Sequence, residues 1–347
     1  MSDAIPLESV PVTLGETDAS PAEVGYDPKY LGLLYECLSL MLPDSIRFVA
    51  SITKLFTATA ILRLNELGKL DDHVSVYLPE FDTDMHRDIT ITHLLTHTSG
   101  LRADPGYYLE PYSFGPARGS GAGWLKRVLE GPLQSRPGEK WAYSSIRYLV
   151  LGAAIERITG EDYEDYVTRT ILEPLGLERT CFRPSTKLRG ELCVSSAGQD
   201  ADLPRVFDPV REPGPPRSAG GLQSCPYDLW RFGQCLLNGG ELEGARVLGR
   251  KSVEAIGRNQ LSGVPAMYWG TWYEAYPYGL GAQIRKNEFT GPGSFAHEGS
   301  GASCLFMDPS NEIVAVYFSP SESGWTPEAV DNPLPIIWAG ILRGVEP

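Results

Sequence analysis

The sequence predicts an α+β fold on three observations. A long middle region carries apolar residues at helical spacing, a C-terminal region reads as successive short strands, and a last apolar helix follows them. At 347 residues the chain exceeds one typical domain and suggests two lobes or one large composite domain. We divide it into an N-terminal arm, 1–25, and a single domain, 26–347. Within that domain a helical lobe covers about 55–240, and a sheet lobe takes about 26–54 and 241–347.

Taken in order, the arm is irregular, with 10–14 its strand-like piece, and 30–42 has helical spacing. A helix opens at Ser51 and runs to about Leu67, where Gly68 supplies a C-cap. Residues 90–100 hold a short helix closed by Ser99-Gly100. The stretch 101–124, rich in Gly, Pro and Tyr, is too long for a plain connection and is expected to be a functional loop or lid. Amphipathic helices follow at 148–160 and 163–177, then a second long loop at 198–218 and a helix at 226–238. From about residue 275 the texture changes. Residues 278–284, 294–298, 302–307 and 312–318 read as strands, with Asp308-Pro-Ser-Asn311 as the turn between the last two. Residues 335–342 form a helix with an apolar face for covering a sheet, and no internal repeat is visible.

Composition narrows the function. A hydrophobic fraction of 42% allows a sizeable core. A formal charge of −14 argues against nucleic acid or an anionic membrane surface as partner. The first thirty residues show neither a basic n-region nor an apolar h-region, and no apolar run reaches the length of a membrane span. A cytoplasmic location is therefore expected. Six cysteines, at 37, 181, 193, 225, 235 and 304, lack metal-type spacing and are expected to be reduced core thiols.

The segment richest in chemistry is Ser51-Ile-Thr-Lys54, at the mouth of an apolar helix. Ser51 would sit at the positive end of the helix dipole, which favours developing negative charge. Its own N–H belongs to the first turn, has no intrahelical acceptor, and is available to a substrate oxygen. Lys54 at i+3 lies on the same face; desolvated there, it would lose pKa and act as a general base. Two further segments add to this pair. Pro137-Gly-Glu-Lys-Trp-Ala-Tyr143-Ser-Ser145 places an exposed tyrosine in a turn before a helix, where a phenol can take or relay a proton. Phe295-Ala-His297-Glu-Gly299-Ser300 puts a histidine on an inner strand, followed by a glycine that lets a ligand approach the backbone.

Together these segments resemble the serine β-lactamase-like superfamily: penicillin-binding proteins, class C β-lactamases and the related family VIII esterases. The resemblance runs from about Ala19 to the C-terminus and includes Leu94-Leu-Thr-His-Thr-Ser-Gly-Leu101, Pro174-Leu-Gly-Leu177, Ala219-Gly-Gly-Leu222 and Asn238-Gly-Gly-Glu-Leu242. It implies a β-lactamase/transpeptidase-like fold, an antiparallel sheet flanked by helices beside a mostly helical lobe. It also implies that Ser51 is the acylated nucleophile, Lys54 its base and Tyr143 a partner in proton transfer. The backbone N–H groups of Ser51 and Ser300 would form the oxyanion hole, and Ser145, His297 and Gly299 would contact substrate.

The departures from the family pattern favour esters. Ser145 stands where β-lactamases and penicillin-binding proteins usually place Asn, and His297 where many β-lactamases have Lys. The site thereby loses an amide reach and a fixed cation for a carboxylate. Tyr107, Trp269 and Trp272, in two aromatic-rich segments, are candidates for the wall of an apolar acyl pocket. His97 reads as structural, bonding the loop that follows it. His73, His86 and His93 show no metal spacing, Glu298 has no carboxylate partner near in sequence, and no metal or cofactor is implied. The family's N-terminal β-hairpin is missing, since 42–51 follow the 30–42 helix directly. A strand edge should then lie open, to be covered by residues 9–14, a partner chain or a second copy. The leading expectation is a serine hydrolase acting through an acyl-enzyme on a small carboxylic ester. Alternatives are an acyltransferase or transesterase using the same acyl-enzyme, a weak β-lactamase or D,D-peptidase, and a catalytically idle binding protein.

Overall fold

A computed structural model describes residues 45–68, 72–104, 123–193, 214–268, 271–284, 290–300 and 303–318. All of them lie in one compact unit, Asp44–Val330. In chain order the helices are α1 (Thr53–Glu66), α2 (Ile91–Leu95), α3 (Trp124–Val128), α4 (Ser145–Thr159), α5 (Tyr163–Val167), α6 (Thr186–Arg189), α7 (Pro226–Leu237) and α8 (Arg250–Ile256). The strands are β1 (Arg47–Phe48), β2 (Trp141–Ala142), β3 (Gln223–Ser224), β4 (Glu241–Leu242), β5 (Ala245–Arg246), β6 (Ala266–Tyr268), β7 (Thr271–Tyr273), β8 (Gln283–Ile284), β9 (Phe295–Gly299), β10 (Ser303–Asp308) and β11 (Ile313–Phe318).

The largest sheet is antiparallel with order β11-β10-β9-β8. Strand β10 is its spine: Leu305 pairs with His297 on one side and Val316 on the other. Two-stranded β1-β3 leads into the turn that carries Ser51, and β2 runs parallel to β6 in a three-stranded β2-β6-β7 sheet. The core helix α1 is buried on every side from Thr53 to Leu62, enclosed by its neighbours. Its far end is closed by Gly68, whose φ of +64° allows its N–H to reach the Asn65 carbonyl at 2.9 Å. Helix α1 packs on α4, and its Phe56 stacks on Phe232 of α7 at 3.9 Å between ring centroids.

Several sequence expectations change. Helix α7 packs on β10 and β11, with Gly233 facing Val314, Leu305 and Met307, so this piece of the expected helical lobe covers the sheet. Of the strand expected at 278–284 only Gln283–Ile284 forms, because Gly279-Leu-Gly281 turns the chain, with Gly281 at φ +90°. Tyr278 faces the core instead, packed with Trp141. The helix expected at 163–177 shortens to α5 and continues as a wider π-type turn, Thr168–Leu172. Helix α8 and the strands β4 and β5 escaped the sequence reading, being too short to carry a period. Cys225, Cys235 and Cys304 are buried as expected, but Cys181 is half-buried and Cys193 is exposed. Among the described residues β11 and β8 are the two edge strands of this sheet. Residues 9–14, 30–42 and 335–342 and most of both long loops lie outside the described residues. None of the described helices is long and apolar enough to cross a membrane.

Candidate active site

The turn that carries Ser51 is built before α1 begins. Ala50–Ile52 form a tight 3-10 turn, held by the Ile52 N–H on the Val49 carbonyl at 3.1 Å. Thr53 locks the turn by donating its hydroxyl to the Ala50 carbonyl (2.7 Å) and accepting the Leu222 N–H (3.1 Å). Ala50 takes φ +43°, a left-handed conformation that costs an L-residue about 1–3 kcal/mol and is held by this surrounding frame. Ser51 is half-buried, and its N–H makes no hydrogen bond within the described residues. Sequence reasoning starts α1 at Ser51; the structure starts it at Thr53, with Ser51 on the approach.

Lys54 is wholly buried. Its Nζ lies 3.0 Å from Ser51 Oγ, 2.7 Å from the Ala219 carbonyl and 3.5 Å from Ser145 Oγ. Burial lowers its pKa to about 7, with Asp104 pulling the other way. An amine so tuned is half neutral near neutrality and can accept a proton.

Tyr143 is half-buried rather than exposed, its ring centroid 4.9 Å from Lys54 Nζ and its hydroxyl hydrogen-bonded to Ser51. Burial, and then Tyr278, push its pKa well above that of a free phenol, so it is a neutral proton carrier and not a phenolate base. The aromatic packing behind it explains this. His97 lies under Tyr143 at 4.5 Å between ring centroids, with Tyr148 at 5.2 Å and Tyr278 at 5.1 Å around it. His97 Nδ1 accepts the Ser144 N–H at 3.2 Å, so its partner is the tyrosine motif and not the loop that follows it. Burial, with Arg147 next, pushes the His97 pKa well down and keeps the ring neutral.

Two residues that sequence reasoning passed over complete the frame. Arg147, buried in α4, donates to the carbonyls of His97 (2.7 Å), Leu101 (2.8 Å) and Ala142 and to Ser99 Oγ (2.9 Å). It thus ties the Leu94–Leu101 segment to the tyrosine motif. A cation between Ile146 and Tyr148 in an otherwise apolar run is the signal that marks it. Asp104, just after that segment, accepts the Ser145 N–H at 2.9 and 3.0 Å and the Ser145 hydroxyl at 2.7 Å. No local pattern marks it.

The third motif closes the other side. His297 is buried in β9, its Nδ1 2.8 Å from the Glu298 carbonyl, and its ring centroid is 6.3 Å from that of Tyr143. Gly299, two residues on, also serves a contact within the fold: a Cβ there would stand 2.3 Å from both the Val49 carbonyl oxygen and Ser303 Oγ. Its bare backbone lets β9 lie against the Ser51 turn. Gly299→Ala is accordingly expected to push the strand off that turn, costing about 1–3 kcal/mol of stability, read by urea denaturation. Ser300 is exposed at the end of β9. Trp272 is 46% exposed on β7, under Lys140, with no contact to Ser51 among those described. Tyr107 and Trp269 lie outside the described residues. Tyr268 and Tyr276 pack on Trp141 beside Tyr143. Among the described residues no group of three His, Cys, Asp or Glu is placed to hold a metal.

A fold with this serine, lysine and tyrosine arrangement defines a class, the serine hydrolases that share the β-lactamase frame. The family model described as Beta-lactamase matches residues 39–335, and the chain belongs to that family. It is 29% identical over 295 residues to penicillin-binding protein 4 of Amycolatopsis lactamdurans, covering 78% of this chain and 71% of that one. Among solved structures it is similar in fold to EstCE1, a hydrolase with promiscuous acyltransferase activity (19% identity, TM-score 0.65, 87% of this chain and 86% of that one). It is likewise similar to a family VIII carboxylesterase (18% identity, TM-score 0.66, 87% and 83%).

Proposed function

We propose that this chain is a carboxylic ester hydrolase that works through an acyl-enzyme on Ser51. The observation carrying the proposal is the buried Lys54 amine, 3.0 Å from Ser51 Oγ and with a pKa of about 7. Neutral Lys54 takes the Ser51 proton as Oγ bonds to the ester carbonyl carbon. The oxyanion that forms is taken by the backbone N–H groups of Ser51 and Ser300. Tyr143, a neutral phenol hydrogen-bonded to Ser51, passes a proton to the departing alkoxide and is reprotonated from Lys54. Water then attacks the acyl-enzyme by the reverse route and releases the acid. Ser145, His297 and Gly299 flank the substrate.

Two observations favour esters over β-lactams and peptides. The Asp104 carboxylate lies on Ser145, where an asparagine amide would otherwise be offered, and it repels a substrate carboxylate. His297 donates Nδ1–H to a carbonyl and offers no fixed cation in the place of lysine. The acyltransferase reading shares every residue and differs only in the acceptor; EstCE1 carries both activities in its description.

The test is labelling by a fluorophosphonate probe together with turnover of p-nitrophenyl esters of graded chain length. Wild type should label and turn over, and Ser51→Ala should lose the label and at least about 10³-fold in kcat. An unlabelled, inactive wild type would leave the idle binding protein as the reading. Faster turnover of nitrocefin than of esters would favour the β-lactamase alternative, and product esters formed from added alcohols would favour transfer.

A further inference from the structure

We infer that Asp104 is a positioning residue for the Ser51–Lys54 pair, acting through the Ser145 hydroxyl to keep the lone pair of Lys54 on Ser51. The inference rests on the reading of Lys54 as the base.

The argument is a count of hydrogens. The Asp104 carboxylate has no hydrogen to give, and it sits 2.7 Å from Ser145 Oγ. The one hydroxyl hydrogen of Ser145 is therefore committed to Asp104, and the oxygen's lone pairs are left for Lys54 Nζ, 3.5 Å away. The Ala219 carbonyl, 2.7 Å from Nζ, is likewise an acceptor only. A neutral amine has two N–H hydrogens and one lone pair. With both hydrogens drawn to Ala219 and Ser145, the lone pair is left for the third neighbour, Ser51 Oγ at 3.0 Å. When Oγ forms its bond to the carbonyl carbon, its hydrogen moves onto that lone pair. The ammonium so formed donates to all three oxygens, with the Asp104 charge one hydroxyl away.

The other titratable groups facing Nζ do not supply this. Tyr143 and Tyr148 present ring faces at 4.9 and 5.6 Å, and burial holds both phenols neutral. His97 is a buried neutral ring, and the nearby Arg147 cation is spent on carbonyls and Ser99. Asp104 is the carboxylate that raises the Lys54 pKa against its burial. It also holds the Ser145 N–H at the start of α4, so a purely structural role has to be separated from the positioning one.

Two variants separate them. Asp104→Asn keeps an oxygen for the Ser145 N–H, but it removes the charge and offers an NH₂ group. The Ser145 hydroxyl can then turn its hydrogen toward Lys54 and occupy the lone pair. Ser145→Ala removes the hydroxyl relay and leaves Asp104 on the backbone N–H. In each, the acid limb of the rate profile is expected to move about one pH unit lower. The limiting kcat should fall about tenfold or more with KM little changed, and the double variant should lose no more than either single one. The Lys54 pKa, read by carbon NMR of lysine labelled at Cε, should fall in Asp104→Asn whether or not an ester substrate has been found. An unmoved limb and an unmoved Lys54 pKa overturn the proposal, as do losses that add in the double variant. If Asp104→Asn does not fold, the same two readouts on Ser145→Ala decide. A wild type that takes no fluorophosphonate sinks the reading of the base, while the NMR comparison still decides the Asp104 link.

Discussion

Lys54→Met is expected to abolish ester turnover and, below pH 7, to raise the melting temperature. The lysine is wholly buried, and burial lowers its pKa from 10.5 to about 7. Below pH 7 both folded and unfolded chains carry the charge, and the native state bears the whole cost of holding an ammonium out of water. Between 7 and 10.5 the unfolded chain binds a proton that the folded chain does not, so wild-type stability rises with pH across that window. Above 10.5 both forms are neutral and the cost is gone. A methionine of similar length carries no such cost at any pH. It does leave the Ala219 carbonyl without its donor, which costs about 1–3 kcal/mol. The gain in Tm should thus be largest near pH 6 and shrink toward pH 10, as followed by calorimetry across that range. In parallel, wild-type kcat/KM should climb through pH 7 and level off above it, because only neutral Lys54 can take the Ser51 proton. A variant that melts below wild type at pH 6, or whose difference ignores pH, would contradict the assignment of the buried charge.

Arg147→Leu should be the most damaging single change to the frame, costing on the order of 3–5 kcal/mol. The guanidinium is the shared donor to three carbonyls and a hydroxyl, from His97, Leu101, Ala142 and Ser99. Leucine fills much of the volume but leaves those oxygens buried without it. The acceptors belong to two separate chain segments, so their release should also loosen Tyr143 from Ser51, and kcat should fall further than KM rises. Arg147→Lys should not restore the wild type, because a single ammonium cannot span the arc that the planar fork covers. Urea unfolding of both variants beside wild type measures this, and a loss below about 1 kcal/mol would show the clamp to be dispensable.

The parts of this architecture legible in the sequence share one property: their signal is local. Ser51 and Lys54 are three residues apart on one helical turn, so i,i+3 geometry alone brings them to one face. Helices α1, α4 and α7 and strands β9 to β11 are apolar runs long enough to be read along the chain. Elsewhere the local signal misled or was absent. Residues 278–284 look like a strand, yet two glycines turn them and Tyr278 goes to the core beside Trp141. Gly299 reads as room for a ligand, and no local pattern shows that the Val49 carbonyl packs on its Cβ side. Asp104 has no local signature, because its meaning comes from Ser145, 41 positions away.

What the amino-acid sequence determined by itself is the family, the order of its chemical groups and the neighbourhood of Ser51 and Lys54, since motif spacing is written in neighbouring residues. Only the tertiary structure decided how that pair is tuned. The desolvation that brings Lys54 to about 7, the Ala219 carbonyl and Asp104–Ser145 link around it, and the Arg147 clamp behind Tyr143 all arise from segments far apart in the chain. Desolvation and hydrogen-bond partnership depend on what surrounds a group in space, and no stretch of neighbouring residues carries that information.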